Sequence, residues 1–129
     1  MQNCIVKYLS IIDGEKSHFK ASGVLNRSDG KIKLLFSLED GQNYSFYILN
    51  DGSIRLKSDG QTRYSILFKN NLNYPFFIFV GAFKIDASAT TILVKTKANN
   101  DKVEIDIQYV FSCGKVMDNR TIKICAESI

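Results

Sequence analysis

Apolar and polar residues alternate with a period of two through much of this chain. Every odd position of residues 103–111 is apolar, whereas Glu104, Asp106 and Gln108 occupy even positions. Residues 32–38, 44–48, 54–57 and 64–68 repeat the alternation. Strict alternation predicts β-strands with one buried and one solvated face.

Shorter or less regular strands are predicted at residues 4–10, 18–25, 76–87, 91–97 and 120–126. Together with the regular runs they make about ten strands. No segment of helical length shows an apolar stripe with a 3.6-residue period. The single proline, Pro75, follows a polar run and predicts a loop at that point.

Aspartate–glycine pairs separate several of these runs. Five of the eight glycines follow an aspartate, at Asp13-Gly14, Asp29-Gly30, Asp40-Gly41, Asp51-Gly52 and Asp59-Gly60. Tight hairpins favour this pair because their turns need residues with positive φ. The strands are therefore expected to follow one another as an antiparallel meander.

A meander with one apolar face must cover that face and its open edges. Closure into a barrel does both, so we predict an all-β protein, an antiparallel up-and-down β-barrel of about 8–10 strands. A two-sheet sandwich is the competing arrangement, although its crossing connections usually need longer loops. The 129 residues suit a single domain spanning 1–129.

Composition places the chain among ordinary globular proteins, with 45% apolar and 23% charged residues. Cys4, Cys113 and Cys125 form no C-x-x-C pair and have one histidine as partner, so no metal and no cofactor are predicted. No signal peptide is apparent at the start, and the longest apolar stretch, residues 76–83, is far below the ~20 residues of a membrane span. We expect a cytoplasmic protein with reduced thiols and no membrane partner.

The second half of the chain resembles the YwiB-like family of small bacterial proteins. Three stretches carry this resemblance, at residues 52–60, 64–68 and 80–85, and residues 103–109 and 119–124 fit the last two strands of that family. The resemblance covers the chain from about Phe19 onward and rests on strand rhythm and a few glycines. It implies a calycin-like barrel, related in architecture to lipocalins and fatty-acid-binding proteins, and a function that is not yet known.

A barrel of this size can enclose a small ligand. The inward aromatic residues are the candidate ligand-binding site, and they are Phe36, Phe46, Tyr64, Phe68, Tyr109 and Phe111. The alternative is that these rings simply fill the interior, because each aromatic side chain buries ~150–250 Å². Arg55 and Arg63 fall on the polar face, so neither is expected to anchor a carboxylate inside the barrel.

The outer face suggests a second class of function. Basic residues at outward positions could contact a protein or an RNA, and they are Lys7, Lys20, Lys33, Arg55, Lys57, Lys95 and Lys123. The net charge of +4 and the interleaved acidic residues make nucleic-acid binding the less favoured interpretation. No enzyme is predicted, because His18 has no evident catalytic partners and Glu104 and Asp106 suit a solvated face. The sequence thus favours a non-enzymatic barrel that binds a small apolar ligand, with an outer-surface interaction module as the alternative.

Overall fold

The structure, a computed structural model, describes all residues from 1 to 129. It contains ten strands and no helix, and therefore no helix that could cross a membrane. The strands are β1 (Gln2–Ile12), β2 (Glu15–Ser28), β3 (Lys31–Ser37), β4 (Asn43–Ile48), β5 (Ile54–Asp59), β6 (Thr62–Phe68), β7 (Asn73–Val80), β8 (Phe83–Ala98), β9 (Lys102–Cys113) and β10 (Val116–Ser128).

Each strand pairs in antiparallel fashion with the next one along the chain, and β1 closes the sheet by pairing with β10. In the closing ladder Cys4 lies opposite Ser128 and Ile12 lies opposite Arg120. The prediction of an up-and-down barrel is confirmed, and the sandwich is excluded. Closure gives every strand a partner on both sides, although the β6–β7 ladder joins only two residue pairs and residues 15–22 of β2 have no partner in β3.

Two of the predicted turns show why aspartate–glycine pairs suit this meander. Asp13 and Asp29 have φ of 48° and 50°, and the glycines after them have φ of 86° and 75°. Two consecutive residues with positive φ form the two-residue turn whose twist matches that of the flanking strands. The sequence thereby sets the hairpins β1–β2 and β2–β3.

The barrel has two different ends. The open end carries the hairpins β1–β2, β3–β4, β5–β6, β7–β8 and β9–β10, and the closed end carries the other four connections and both termini. Strands β1, β2 and β8–β10 are 11 to 16 residues long, whereas β3–β7 have 6 to 8 residues. The wall of the barrel is therefore built largely from the long strands on one side.

Inward residues of all ten strands form one hydrophobic core. Towards the closed end Leu25, Ile54, Phe68 and Val103 are all fully buried. Because successive residues of a strand face opposite sides, this packing fixes which residues face outward along every strand.

Two local predictions are wrong. Residues 76–87 are a hairpin that turns at Gly81, and not one strand. Pro75 lies within β7 and not in a loop, because the β6–β7 ladder is confined to Thr62 and Arg63, so the missing N–H faces no partner strand. A β-bulge between Thr91 and Leu93 also breaks the alternation of β8.

Candidate functional site

The structure brings all six predicted aromatic residues into the barrel. Five of them are buried, and Tyr64 is half-buried. Phe36 stacks on Phe46 with ring centroids 6.0 Å apart, and Phe68 lies 4.9 Å from Tyr109. These rings therefore pack on one another as part of the core, and the main cavities of the protein lie elsewhere, along the outer face.

Apolar side chains line the inner wall at the open end and are nevertheless exposed. Phe83 and Val116 are 75% and 57% exposed, although their registers with Val80 and Cys113 place them on the inner face. We call this set the apolar rim, and it comprises Ile12, Phe19, Val80, Phe83, Ile85 and Val116. The exposed rim side chains show that the inner wall is accessible to solvent at this end.

A cluster of polar side chains lies between the apolar rim and the packed core. Arg120 forms a two-pronged ion pair with Asp118, with nitrogen–oxygen distances of 2.7 and 3.3 Å. The Arg120 guanidinium also lies 3.9 Å from the centre of the Phe111 ring. We call this set the tyrosine–arginine cluster, and it comprises Tyr8, Tyr44, Tyr64, Tyr109, Asp118 and Arg120.

Burial determines the charge state of this cluster. It raises the pKa of Tyr109 and of Tyr44 to about 12, and it raises the pKa of Tyr8 further. Burial alone would lower the pKa of Arg120, but its bonds to Asp118 and the nearby Tyr109 outweigh that effect and raise it. At neutral pH the cluster therefore presents neutral phenols around one neutralised guanidinium.

Sequence reasoning missed the inward arginine. Arg55 and Arg63 do lie on the outer face, where Arg55 donates to Ser65 and Arg63 lies over the Phe79 ring. Arg120 instead continues the inward series of Ile122 and Ile124 by one more step of two. The alternation along β10 is therefore the signal in the sequence that places Arg120 on the inner face.

A second inward arginine lies at the closed end. Arg27 continues the inward series of β2 from Leu25 and donates to the Gln2 side chain at 3.3 Å. It covers the core at the end opposite the tyrosine–arginine cluster.

A concave groove of about 760 Å³ runs over the outside of the barrel across β8, β9, β10, β1 and β2. We call it the outer groove. Its charged lining residues are Lys7, Lys20, Lys95, Lys97, Lys123, Glu104 and Asp106, so four of the seven basic residues predicted to face outward meet here. Lys33, Arg55 and Lys57 lie elsewhere, and the two lysines flank the Tyr47 ring.

The three cysteines are separate from one another. Cys4 is buried in the core, Cys113 lies on the inner wall at the open end, and Cys125 lines the outer groove. No group of three or more histidine, cysteine or acidic side chains is placed to hold a metal ion. His18, also in the outer groove, is exposed.

Comparison with solved structures finds a protein of the same architecture. The crystal structure of YwiB from Bacillus subtilis superimposes with a TM-score of 0.87 over 99% of this chain and 92% of that chain. The two share a fold. Their sequences are 16% identical, so the likeness concerns the barrel and not its chemistry. No family model matches the chain, and no curated protein does.

Proposed function

We propose that this chain is a non-enzymatic barrel protein that binds a small, largely apolar ligand with a polar head at its open end. The observation that carries the proposal is the apolar rim, whose inward-facing side chains are exposed directly above the tyrosine–arginine cluster. A soluble protein seldom exposes apolar groups together unless they contact something.

The rim offers a surface for the apolar part of such a ligand. Val80, Phe83 and Ile85 come from one hairpin, and Val116 lies on the neighbouring hairpin β9–β10. Burying apolar area stabilises a complex by roughly 25 cal/mol per Å², so covering even half of these side chains favours binding. The Phe36, Tyr64, Tyr109 and Phe111 rings would lie beneath the ligand, whereas Phe46 and Phe68 support them from within the core.

The cluster offers partners for the polar head. A guanidinium has five N–H donors, and two of those of Arg120 are used by Asp118, so others remain for a ligand oxygen. The phenols of Tyr64 and Tyr109 are neutral donors beside it. A hydroxyl or carboxyl head fits these donors better than a cation.

The absence of catalytic chemistry is part of the proposal. Asp118 already neutralises Arg120, and the nearby tyrosines hold their protons, so no group in the cluster is ready to accept a proton at neutral pH. The unpaired thiols are in keeping with a cytoplasmic protein. The shared architecture with YwiB supports membership of that calycin-like family.

Interaction through the outer surface is the second candidate function. The outer groove favours it, because the groove gathers basic side chains from four strands, β1, β2, β8 and β10. Such a function would leave the interior packed and would need neither the apolar rim nor Arg120.

Titration with the neutral fluorescent probe N-phenyl-1-naphthylamine tests the first proposal, together with native mass spectrometry for molecules that co-purify. We expect saturable binding that Ile85→Ser and Val116→Ser each weaken at least fivefold. Ile92→Ser is the matched control, since Ile92 is 55% exposed but belongs to the bulge on β8 and not to the rim. Equal loss in the control and in the rim variants would reject the open end as the site.

Displacement of the probe by two competitors distinguishes the contribution of the ligand's polar head to binding from that of its apolar tail. Dodecanoate and dodecanol share their tail, so loss of the guanidinium in Arg120→Gln should weaken displacement by dodecanoate more than displacement by dodecanol. Equal weakening would remove Arg120 from the proposed site while leaving the rim in place.

A further inference from the structure

The outer groove is built from two rows of side chains that cross five strands. The strand registers align one row as Lys97, Glu104, Cys125, Lys7 and Lys20, and the other as Lys95, Asp106, Lys123, Leu9 and His18. Neighbours within a row are about 4.8 Å apart along the hydrogen-bonding direction, and the rows are about 7 Å apart. The closing β1–β10 ladder brings them together.

The groove is concave although it lies on the outside of a barrel. Between the two rows it reaches Ile105, Ile124, Tyr8 and Phe19, whose side chains belong to the inner face. The bulge in β8 precedes Lys95 and Lys97, and a bulge bends the strand that carries it. At about 760 Å³ the groove has the size of a small-molecule site.

Positive charge is concentrated in the groove. Its five lysines and two carboxylates give it three of the four net positive charges of the chain. None of the five lysines forms an ion pair, and Glu104 pairs instead with Lys102 at 3.1 Å, outside the lining. Although Glu104 and Asp106 lie within the rows, the excess of positive charge remains, and an excess of one sign in a concave surface attracts a counter-ion more strongly than on a flat one.

We propose that the outer groove binds a small polyphosphate anion, one such anion per chain. A ligand must carry three or more negative charges to match these ammonium groups, and a phosphate chain carries them within the length of the groove. Lysine binds phosphate as a point charge without demanding a fixed planar geometry. This site differs from the open end, so the two proposals stand independently.

A single-stranded nucleic acid fits the groove less well. Such strands bind where bases stack on aromatic rings, but neither row contains a phenylalanine or tyrosine side chain. The apolar members of the two rows are Leu9 and Cys125, and the Tyr8 and Phe19 rings belong to the inner face, so the rows offer no exposed ring on which a base could stack.

Calorimetric titration of the full chain with inorganic tripolyphosphate at 150 mM salt tests the proposal. We expect one site whose affinity falls at least tenfold in the double variant Lys95→Gln/Lys123→Gln. The double variant Lys31→Gln/Lys115→Gln removes the same charge from the start of β3 and from the β9–β10 turn, outside the groove, and should bind as the parent does. Raising the salt should weaken binding in the parent, because exposed ammonium groups are screened.

The cysteines report the location of binding. Tripolyphosphate should slow alkylation of Cys125 in the groove severalfold and leave Cys113 at the open end unchanged, while N-phenyl-1-naphthylamine should do the reverse. Burial raises the pKa of the Cys125 thiol, so the reaction is run at about pH 9.

Three results would overturn the proposal: absence of tripolyphosphate binding, equal loss in the two double variants, or binding of a single-stranded oligonucleotide alone. A parallel titration with ATP identifies the source of the phosphates. Tighter binding of ATP than of tripolyphosphate indicates a nucleotide, and equal binding indicates recognition of the phosphate chain itself. Failure here leaves the proposal for the open end untouched.

Discussion

The two ends of the barrel use inward-facing positions in opposite ways. Towards the closed end Leu25, Ile54 and Phe68 are fully buried, whereas at the open end the equally apolar Phe83 and Val116 are more than half exposed. Each end also holds an inward arginine, yet Arg27 bonds to Gln2 beside the chain start and Arg120 lies between the core and the rim. The closed half therefore supplies the stability that allows the open half to expose apolar surface.

Ile107→Asp should give the largest effect, since Ile107 is fully buried in β9. A buried carboxylate without a partner costs several kcal/mol, so we expect a loss of about 4 kcal/mol or more, or failure to fold. Chemical denaturation measures it. Ile85→Asp, at an inward position that is 40% exposed, should cost less than about 1 kcal/mol. Similar losses in both variants would mean that the two ends do not differ in packing.

Removal of an aromatic ring tests the same contrast without introducing a charge. Phe46→Ala leaves a cavity beside Phe36 and should cost about 3–5 kcal/mol in the free energy of unfolding. Phe83→Ala should change that free energy by less than about 0.5 kcal/mol, because the ring is 75% exposed. A stable Phe46→Ala protein would show that the interior has room for a ligand at that depth.

Sequence periodicity predicts the closed half well, because burial there forces strict alternation, as in Ile66 and Phe68 or Val103 and Ile105. The prediction fails at the open end, where inward positions are less buried and so need not be apolar. At the open end Asp118 and Arg120 occupy inward positions. The residues of β10 there do not show the alternation that predicts a strand with one apolar face. The bulge places Ile92 outward and shifts the alternation of β8, so the sequence pattern does not show which residues of this strand face inward.

The outer groove was beyond prediction for a different reason. The lysines were correctly placed on the outer face, but neighbours such as Lys123 and Lys7 come from opposite ends of the chain. Their alignment depends on barrel closure and on registers that no local pattern encodes. Only the tertiary structure shows that they share one concavity.

Alkaline pH should weaken the protein through the tyrosine–arginine cluster. Burial raises the pKa of Tyr109 from 10.0 to about 12, so the folded state holds this proton more tightly than the unfolded chain does. The resulting stability is complete below pH 10 and is lost as the pH rises towards 12. Two pH units correspond to about 2–3 kcal/mol, which is the upper limit for this residue.

Denaturation at several pH values between 8 and 12 measures this loss. Tyr109→Phe should be less sensitive to pH than the parent by up to that amount. Tyr47→Phe serves as the control, because Tyr47 lies on the outer face beneath Lys33 and Lys57. An unchanged alkaline slope in Tyr109→Phe would place its hydroxyl in contact with water.

The Arg120–Asp118 pair should give the smallest of these effects. The side chains are 28% and 11% exposed, so Arg120→Gln leaves a mostly buried carboxylate without its partner and should cost about 1–2 kcal/mol. Arg63→Gln, on the outer face, should cost less than about 0.5 kcal/mol. The double variant Arg120→Gln/Asp118→Asn should recover part of the loss, because the orphaned charge is then removed. No recovery would mean that Arg120 acts mainly by packing on Phe111, and that its charge is free for a ligand.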